Sequence, residues 1–186
     1  MPQTVLKPAS YSDLLALPEH WVGEIIQGAL ETQPRPGPRH AHAQSRLGAR
    51  INGPFDQGLG GPGGWWILDE PELHLGADIM VPDLAGWRRE RMPSLPDTAW
   101  FELAPDWVCE ILSPATARKD RVLKMPIYAR EGVQHVWLLD PQIRTLEVYG
   151  LKQQHWLLLR SYGQGDPVAA PPFEALSFPL DVLWSD

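Results

Sequence analysis

Val81-Pro82-Asp83, Trp107-Val108-Cys109-Glu110-Ile111-Leu112-Ser113-Pro114 and Asp120-Arg121-Val122-Leu123-Lys124 are the landmarks of the stretch from Met80 to Lys124, and they decide how this chain is read. Two acidic residues stand inside apolar, strand-like runs, and a basic helical segment follows. A carboxylate facing a core is costly unless it is paired or bound to a metal, so the pattern predicts a site. Strand alternation puts Val108, Glu110 and Leu112 on one face and Trp107, Cys109 and Ile111 on the other. Pro82 predicts an edge, a bulge or a break in pairing that aims Asp83 out of the ladder; a solvated strand end is the plainer reading of the same residues.

Upstream, Ser10 to Pro18 predicts a short helix with Ser10 as N-cap, Asp13 three residues on and Pro18 as the stop. Trp21 to Thr32 predicts a hairpin turning at Gln27-Gly28, with Glu24 in apolar company; an edge-strand charge in solvent fits that segment equally well. His40 to Asn52 predicts a helix with Leu47 and Ile51 one turn apart, and Gly53 to Gly64 a turn-rich loop. His40 and His42, two apart on a helix, point to nearly opposite sides, so a phosphate contact or a place at the helix start suits them better than a shared metal. Two short strands joined at Glu70-Pro71 follow, then one strand over 78–87. Arg88-Arg89-Glu90-Arg91 is the densest basic cluster, and with Arg35 and Arg39 it is where phosphates are expected to be met.

Downstream, Thr116 to Arg130 predicts a helix that stacks Asp120, Lys124 and Tyr128 on one face, while Pro126 predicts a kink or a late start near Asp120 to Lys124. Strands are expected over 135–140, 144–149 and 155–160, and residues 161–186 form a Pro-rich tail expected to wrap the surface. The result is one domain over 1–186 with its core at about 11–160.

The net charge of −7, from 16 Lys+Arg and 23 Asp+Glu, rules out a generally basic polyanion binder, so an anionic substrate needs a local basic face or a metal. A single cysteine excludes an internal disulfide and a Cys-based zinc cluster and fits a reducing, cytoplasmic compartment. Met1 to Pro8 lacks the features of a signal peptide, and no apolar run reaches the length of a membrane span. P-loop, dinucleotide-binding, serine-hydrolase, HExxH and CxxC motifs are all missing.

Three acids on separate strand-like segments, Glu24, Asp83 and Glu110, form an oxygen donor set suited to Mg²⁺ or Mn²⁺, with Lys124 as the nearby cation. The ordered series Tyr11, Glu24-Ile25-Ile26-Gln27-Gly28, Pro38-Arg39-His40, Val81-Pro82-Asp83-Leu84, Val108 to Thr116, Asp120 to Lys124, Tyr128, Gly132-Val133 and Val136 to Pro141 resembles the Uma2 (DUF820) family of restriction-endonuclease-like proteins. That resemblance implies the PD-(D/E)XK superfamily: an α/β, restriction-endonuclease-like core, a mixed β-sheet flanked by helices with an N-terminal helix and hairpin. It also implies metal-dependent endonuclease cleavage of DNA phosphodiester bonds, with Asp83, Glu110 and Glu24 as catalytic metal ligands. The superfamily's strand lysine falls at Leu112 here, so the resemblance moves that role to Lys124. His40, Arg39, Arg88 and Arg89 are the expected phosphate contacts, DNA the expected partner, and Mg²⁺ or Mn²⁺ the expected cofactor.

Nine tryptophans exceed what one core easily absorbs, and Trp65, Trp66, Trp87, Trp100 and Trp184 are expected to contribute to a homodimer interface. The competing reading is a nuclease-fold module that no longer cuts and serves binding or assembly. A zinc hydrolase built on His40, His42 and His74 is the third.

Overall fold

The computed structural model describes residues 7–184, so the expectation placed on the first six residues lies outside it. Helix α1 (Tyr11–Leu15) opens on the predicted capping box: the Ser10 N–H donates to Asp13 Oδ2 at 2.7 Å and the Ser10 hydroxyl to the same oxygen at 2.6 Å. Strands β1 (Trp21–Ile26) and β2 (Ala29–Pro34) form the hairpin, and its two-residue turn needs positive φ at both positions, which Gln27 (53°) and Gly28 (79°) adopt.

Helix α2 (Pro38–Ile51) starts two residues before its predicted position, because Pro38 fits a first-turn site where no N–H is needed. It buries Ala43, Leu47 and Ile51. The loop expected from Gly53 begins instead as a wide helical turn, Asn52–Asp56, closed by the Gln57 N–H on the Asn52 carbonyl at 3.1 Å. Pro54 lies within that turn, where regular α-helical bonding would require an N–H it does not have.

Strand β3 (Trp65–Asp69) and the pair β4 (Leu73–Leu75) and β5 (Asp78–Met80) come next. The single strand expected over 78–87 is in fact two: β5 ends at Met80 and β6 (Leu84–Arg88) belongs to another sheet. Pro82 cannot donate to a ladder, so Val81-Pro82-Asp83 becomes the crossing between the sheets. One sheet has the order β2-β1-β5-β4. With β7 (Trp107–Ile111), β8 (His135–Asp140), β9 (Thr145–Lys152) and β10 (His155–Tyr162), the other has the order β10-β9-β8-β7-β6-β3.

Only the β7–β8 pair of the larger sheet is parallel, which makes the sheet mixed and demands a long crossover. That crossover carries a wide helical turn, Lys119–Lys124, running into α3 (Met125–Arg130). The turn closes with the Met125 N–H on the Asp120 carbonyl, five residues back, and α3 begins late, at Met125, so that Pro126 falls in its first turn, where its missing N–H costs nothing.

The two faces of β7 separate as alternation predicts. Trp107, Cys109 and Ile111 join a core roofed by α2 and the C-terminal segment, while Val108 and Leu112 join one roofed by α3. The C-terminal segment includes the short pair β11 (Pro167–Val168) and β12 (Phe178–Pro179) and delivers Phe173 to the first core. The Phe173 ring lies 4.6 Å from Phe55, 5.0 Å from Trp65, 4.9 Å from Trp107 and 5.8 Å from Trp137, centroid to centroid. Phe173→Leu keeps an apolar group but loses these ring pairs, and a thermal melt is expected to register a loss of about 1 kcal/mol.

Trp65 and Trp87, two of the five tryptophans assigned to an interface, are buried within the chain, and Trp107 and Trp137 join them in the interior. Two cores, one on each face of the sheet, accommodate more large rings than a single core would. Among the described residues no helix is long and apolar enough to cross a membrane.

Candidate active site

Strands β6 and β7 run antiparallel with Leu84 opposite Cys109, so one step past the end of the ladder brings Asp83 level with Glu110. Asp83 is anchored on both oxygens: Oδ2 accepts the Ile111 N–H at 2.6 Å, and His40 Nε2 lies 3.2 Å from Oδ1. Its carbonyl accepts the Gln44 amide at 3.0 Å and the Glu70 N–H at 3.1 Å. Breaking the strand at Pro82 therefore frees Asp83 from the ladder while its carboxylate oxygens and its carbonyl stay engaged.

Glu110 is buried on the α3 side of β7. Its Oε1 accepts the Tyr128 hydroxyl at 2.6 Å and meets the Lys124 amine at 2.8 Å. Lys124, only 2 % exposed, also lies 2.9 Å from Glu24 Oε1, 3.4 Å from the Val81 carbonyl and 3.9 Å from Asp120 Oδ1. Glu24 reaches this point from the other sheet. Its Oε1 accepts the Val81 N–H at 2.9 Å, and its Oε2 pairs with Lys119, whose amine also donates to Gln33 Oε1 at 2.6 Å. The crossing between the sheets is thus the point at which Glu24, Asp83, Glu110 and Lys124 come together.

Lys119 has no signal in the sequence. On an α-helix it lies about 140° around the axis from Lys124, five residues on. The wide turn over 119–124 winds more slowly per residue, which brings both amines onto Glu24. Asp120 and Tyr128 were legible as the stack with Lys124, and the structure buries all three.

Burial pushes the Glu110 carboxyl up to about 8, with the charges of Asp120, Asp83 and Glu24 adding to the effect and Lys124 opposing it. Burial also opposes ionisation of Glu24, but Lys124 and Lys119 outweigh it and hold Glu24 below the usual range. The Lys124 amine is held well above its ordinary value: burial alone would lower it, and Glu110 and Glu24 reverse the sign. Burial likewise disfavours the His40 imidazolium, yet the bond to Asp83 and its charge raise His40 overall.

The expected phosphate contacts divide. Arg39 and His40 line a cleft of about 510 Å³ beside Asp83's histidine. Arg88 and Arg89 do not belong there: Trp65 pairs with Arg88 at the end of β6 remote from Asp83, about 16 Å of strand away. The Arg88 guanidinium lies 4.6 Å over the Trp65 ring, and Arg89 binds Asp56 at 2.7 Å while stacking 3.8 Å over Trp66. These cations are spent on tying loops to β3. His74 is likewise engaged, with Glu72 at 2.7 Å and a stacked Trp100, which separates it from His40 and His42.

Among the described residues no three His, Cys, Asp or Glu side chains converge as a ready metal cage. Both Glu24 oxygens are held by lysine amines, whereas Asp83 Oδ1 meets only the His40 ring, so a cation displaces less at Asp83 than at Glu24. Asp83 and Glu110 remain as hard oxygen donors, a set that suits a cation such as Mg²⁺, which binds through one or two carboxylates and completes its shell with water and substrate oxygens.

Residues 9–182 match the Uma2 family, described as "Putative restriction endonuclease". The chain belongs to the Uma2 family. It is also similar to a crystal structure described as a putative nuclease belonging to DUF820, from Anabaena variabilis ATCC 29413, with a TM-score of 0.75 and 26 % identity over 95 % of this chain and 98 % of that one. No curated protein matches it. In this Uma2 protein the strand position two residues after Glu110 is the buried Leu112, and the amine beside Glu110 comes instead from Lys124 on the crossover. The restriction-endonuclease-like core, a mixed sheet with helices against it and an N-terminal helix and hairpin, is the architecture seen.

Proposed function

We propose that this Uma2 protein is a metal-dependent endonuclease that hydrolyses phosphodiester bonds of DNA, with Asp83 and Glu110 holding Mg²⁺ or Mn²⁺. One observation carries the reading: the Lys124 amine lies 2.8 Å from Glu110, on a strand pair that sets Asp83 level with that glutamate. A divalent cation bound there supplies Lewis-acid polarisation of the phosphoryl oxygen and lowers the pKa of water.

The chain's own residues do the rest. Tyr128 and Lys124 both hold Glu110 through Oε1, which leaves Oε2 as the oxygen available to a cation. Glu24 is a positioning residue: it pins the Lys124 amine beside Glu110 and, with Lys119 as a second counter-ion, stays ionised while doing so. Lys124 stabilises negative charge developing on the phosphate. His40 orients Asp83 from the cleft side. The test is nicking of supercoiled plasmid in Mg²⁺ or Mn²⁺. Asp83→Ala and Glu110→Ala are expected to lose at least a hundredfold, and activity that survives both belongs to a contaminant.

One observation favours a second reading, an inert nuclease-fold module: Lys124 already neutralises Glu24 and Glu110 from within. Calorimetric titration with Mn²⁺ separates the two, since an inert module shows no binding at millimolar metal. A cytoplasmic homodimer completes the proposal. Leu157, Leu158 and Leu159, exposed on the edge strand β10, support pairing through that edge, which light scattering after gel filtration measures.

A further inference from the structure

Three clefts run along one flank of α2, and they are contiguous. The 510 Å³ cleft that holds His40 shares Pro38, Arg39, Pro141 and Gln142 with a second of about 370 Å³, and the second shares His42 with a third of about 340 Å³. Among the described residues no Asp or Glu lines any of the three. α2 itself carries no Asp or Glu, and its Arg39, His42, Arg46 and Arg50 fall at spacings of three and four, which is one helix face.

Across the second cleft stands Arg144, exposed in the β8–β9 turn. Asp140 accepts the N–H groups of Gln142 and Ile143 at 2.9 and 3.2 Å, which fixes the turn that carries Arg144. Arg46 and Arg50 are anchored, Arg46 to the Val182 carbonyl at 3.1 Å and Arg50 over the Phe178 ring at 5.7 Å. A further cleft of about 630 Å³ meets the third at Ser45 and Ala49 and differs in its lining, which contains Asp69 and no arginine.

We propose that the acid-free groove along α2 is the docking track for the phosphodiester backbone of duplex DNA, leading to Asp83 at its His40 end. α2 spans about 21 Å, matching about six phosphates of one strand. Arg39, Arg46, Arg50 and Arg144 meet up to four of them. Contacts of this kind carry no base information, so the binding is independent of sequence.

This inference rests on the nuclease reading, and its test is arranged so that the two can fail separately. Binding of a fluorescein-labelled 20-base-pair duplex is followed by anisotropy with the full chain in EDTA, where no cutting occurs. The wild type is expected to bind with a log–log salt slope of about −3.6, and Arg39→Gln/Arg144→Gln to cut that slope by about two and weaken binding at least tenfold near 100 mM salt. Arg88→Gln/Arg160→Gln, an equal charge change outside the groove, is expected to bind like the wild type. The inference is overturned by a wild type that does not bind, by a groove variant that binds unchanged, or by equal losses in both variants, which would reflect net charge alone. A protein that nicks plasmid but binds independently of the groove arginines removes this inference and leaves the nuclease reading. A protein that binds through the groove but never nicks does the reverse.

Discussion

Lys124→Met is expected to abolish plasmid nicking and to lower the melting temperature by about 10 °C. The substitution leaves the aliphatic stem packed but removes the amine that lies between Glu24 and Glu110. Removing one partner of a buried ion pair costs about 3–5 kcal/mol, because the other partner remains desolvated. In a chain of this length each kcal/mol moves the melting temperature by about 2–4 °C. Glu24 keeps Lys119 and the Val81 N–H, so the loss falls on Glu110, whose carboxyl, already raised by burial, loses the one cation that opposes the shift and gives up its proton to a metal less readily. Loss of nicking together with loss of Mn²⁺ binding is the expected calorimetric signature. Wild-type nicking by the methionine variant would remove Lys124 from the mechanism. Should that variant not fold, Glu24→Gln offers the milder test, since it loosens the hold on Lys124 while the amine stays in place.

Glu110→Gln is expected to lose nicking and to flatten the dependence of stability on pH. The folded chain holds the Glu110 proton up to about 8, whereas an unfolded glutamate releases it near 4.3. Between those values the folded state binds more protons than the unfolded one, so stability falls as pH rises through this window. Glutamine accepts hydrogen bonds from Tyr128 and Lys124 and does not titrate. The wild-type melting temperature is expected to drop by several degrees from pH 6 to pH 9, and that of Glu110→Gln by distinctly less. His40, raised from its ordinary value by Asp83, contributes a slope of the same sign. Glu24, held low, and Lys124, held high, do not titrate there. Parallel profiles for the two proteins would show that Glu110 is already ionised at neutral pH.

Much of the site was readable along the chain because its carriers are periodic. Alternation over Trp107 to Leu112 assigns Glu110 to the face that also carries Val108 and Leu112, and a spacing of four stacks Asp120, Lys124 and Tyr128. Pro82 announced a break in pairing beside Asp83, though not that the break lies between two sheets. Lys119 escaped notice because α-helical spacing turns it away from Lys124, and only a wide turn, a feature without a local sequence rule, returns it. Arg88 and Arg89 misled for the opposite reason. A run of arginines looks free in one dimension, and their aromatic and acidic partners, Trp65, Trp66 and Asp56, lie more than 20 residues away in sequence.

Periods of two and 3.6 residues and the placement of proline and glycine specify most of the elements, the two faces of β7, and the acids and the lysine that stand against core positions, but not the division of 78–87 between two sheets or the helical turn over 52–56. Contacts across the fold bring Glu24 from a separate sheet onto two lysines, supply from the crossover the amine that Leu112 lacks, and set the arginines of α2 along one groove. Those are contacts between segments distant in the chain. Their free energies depend on burial and on which charges share a desolvated volume, quantities that no local spacing encodes.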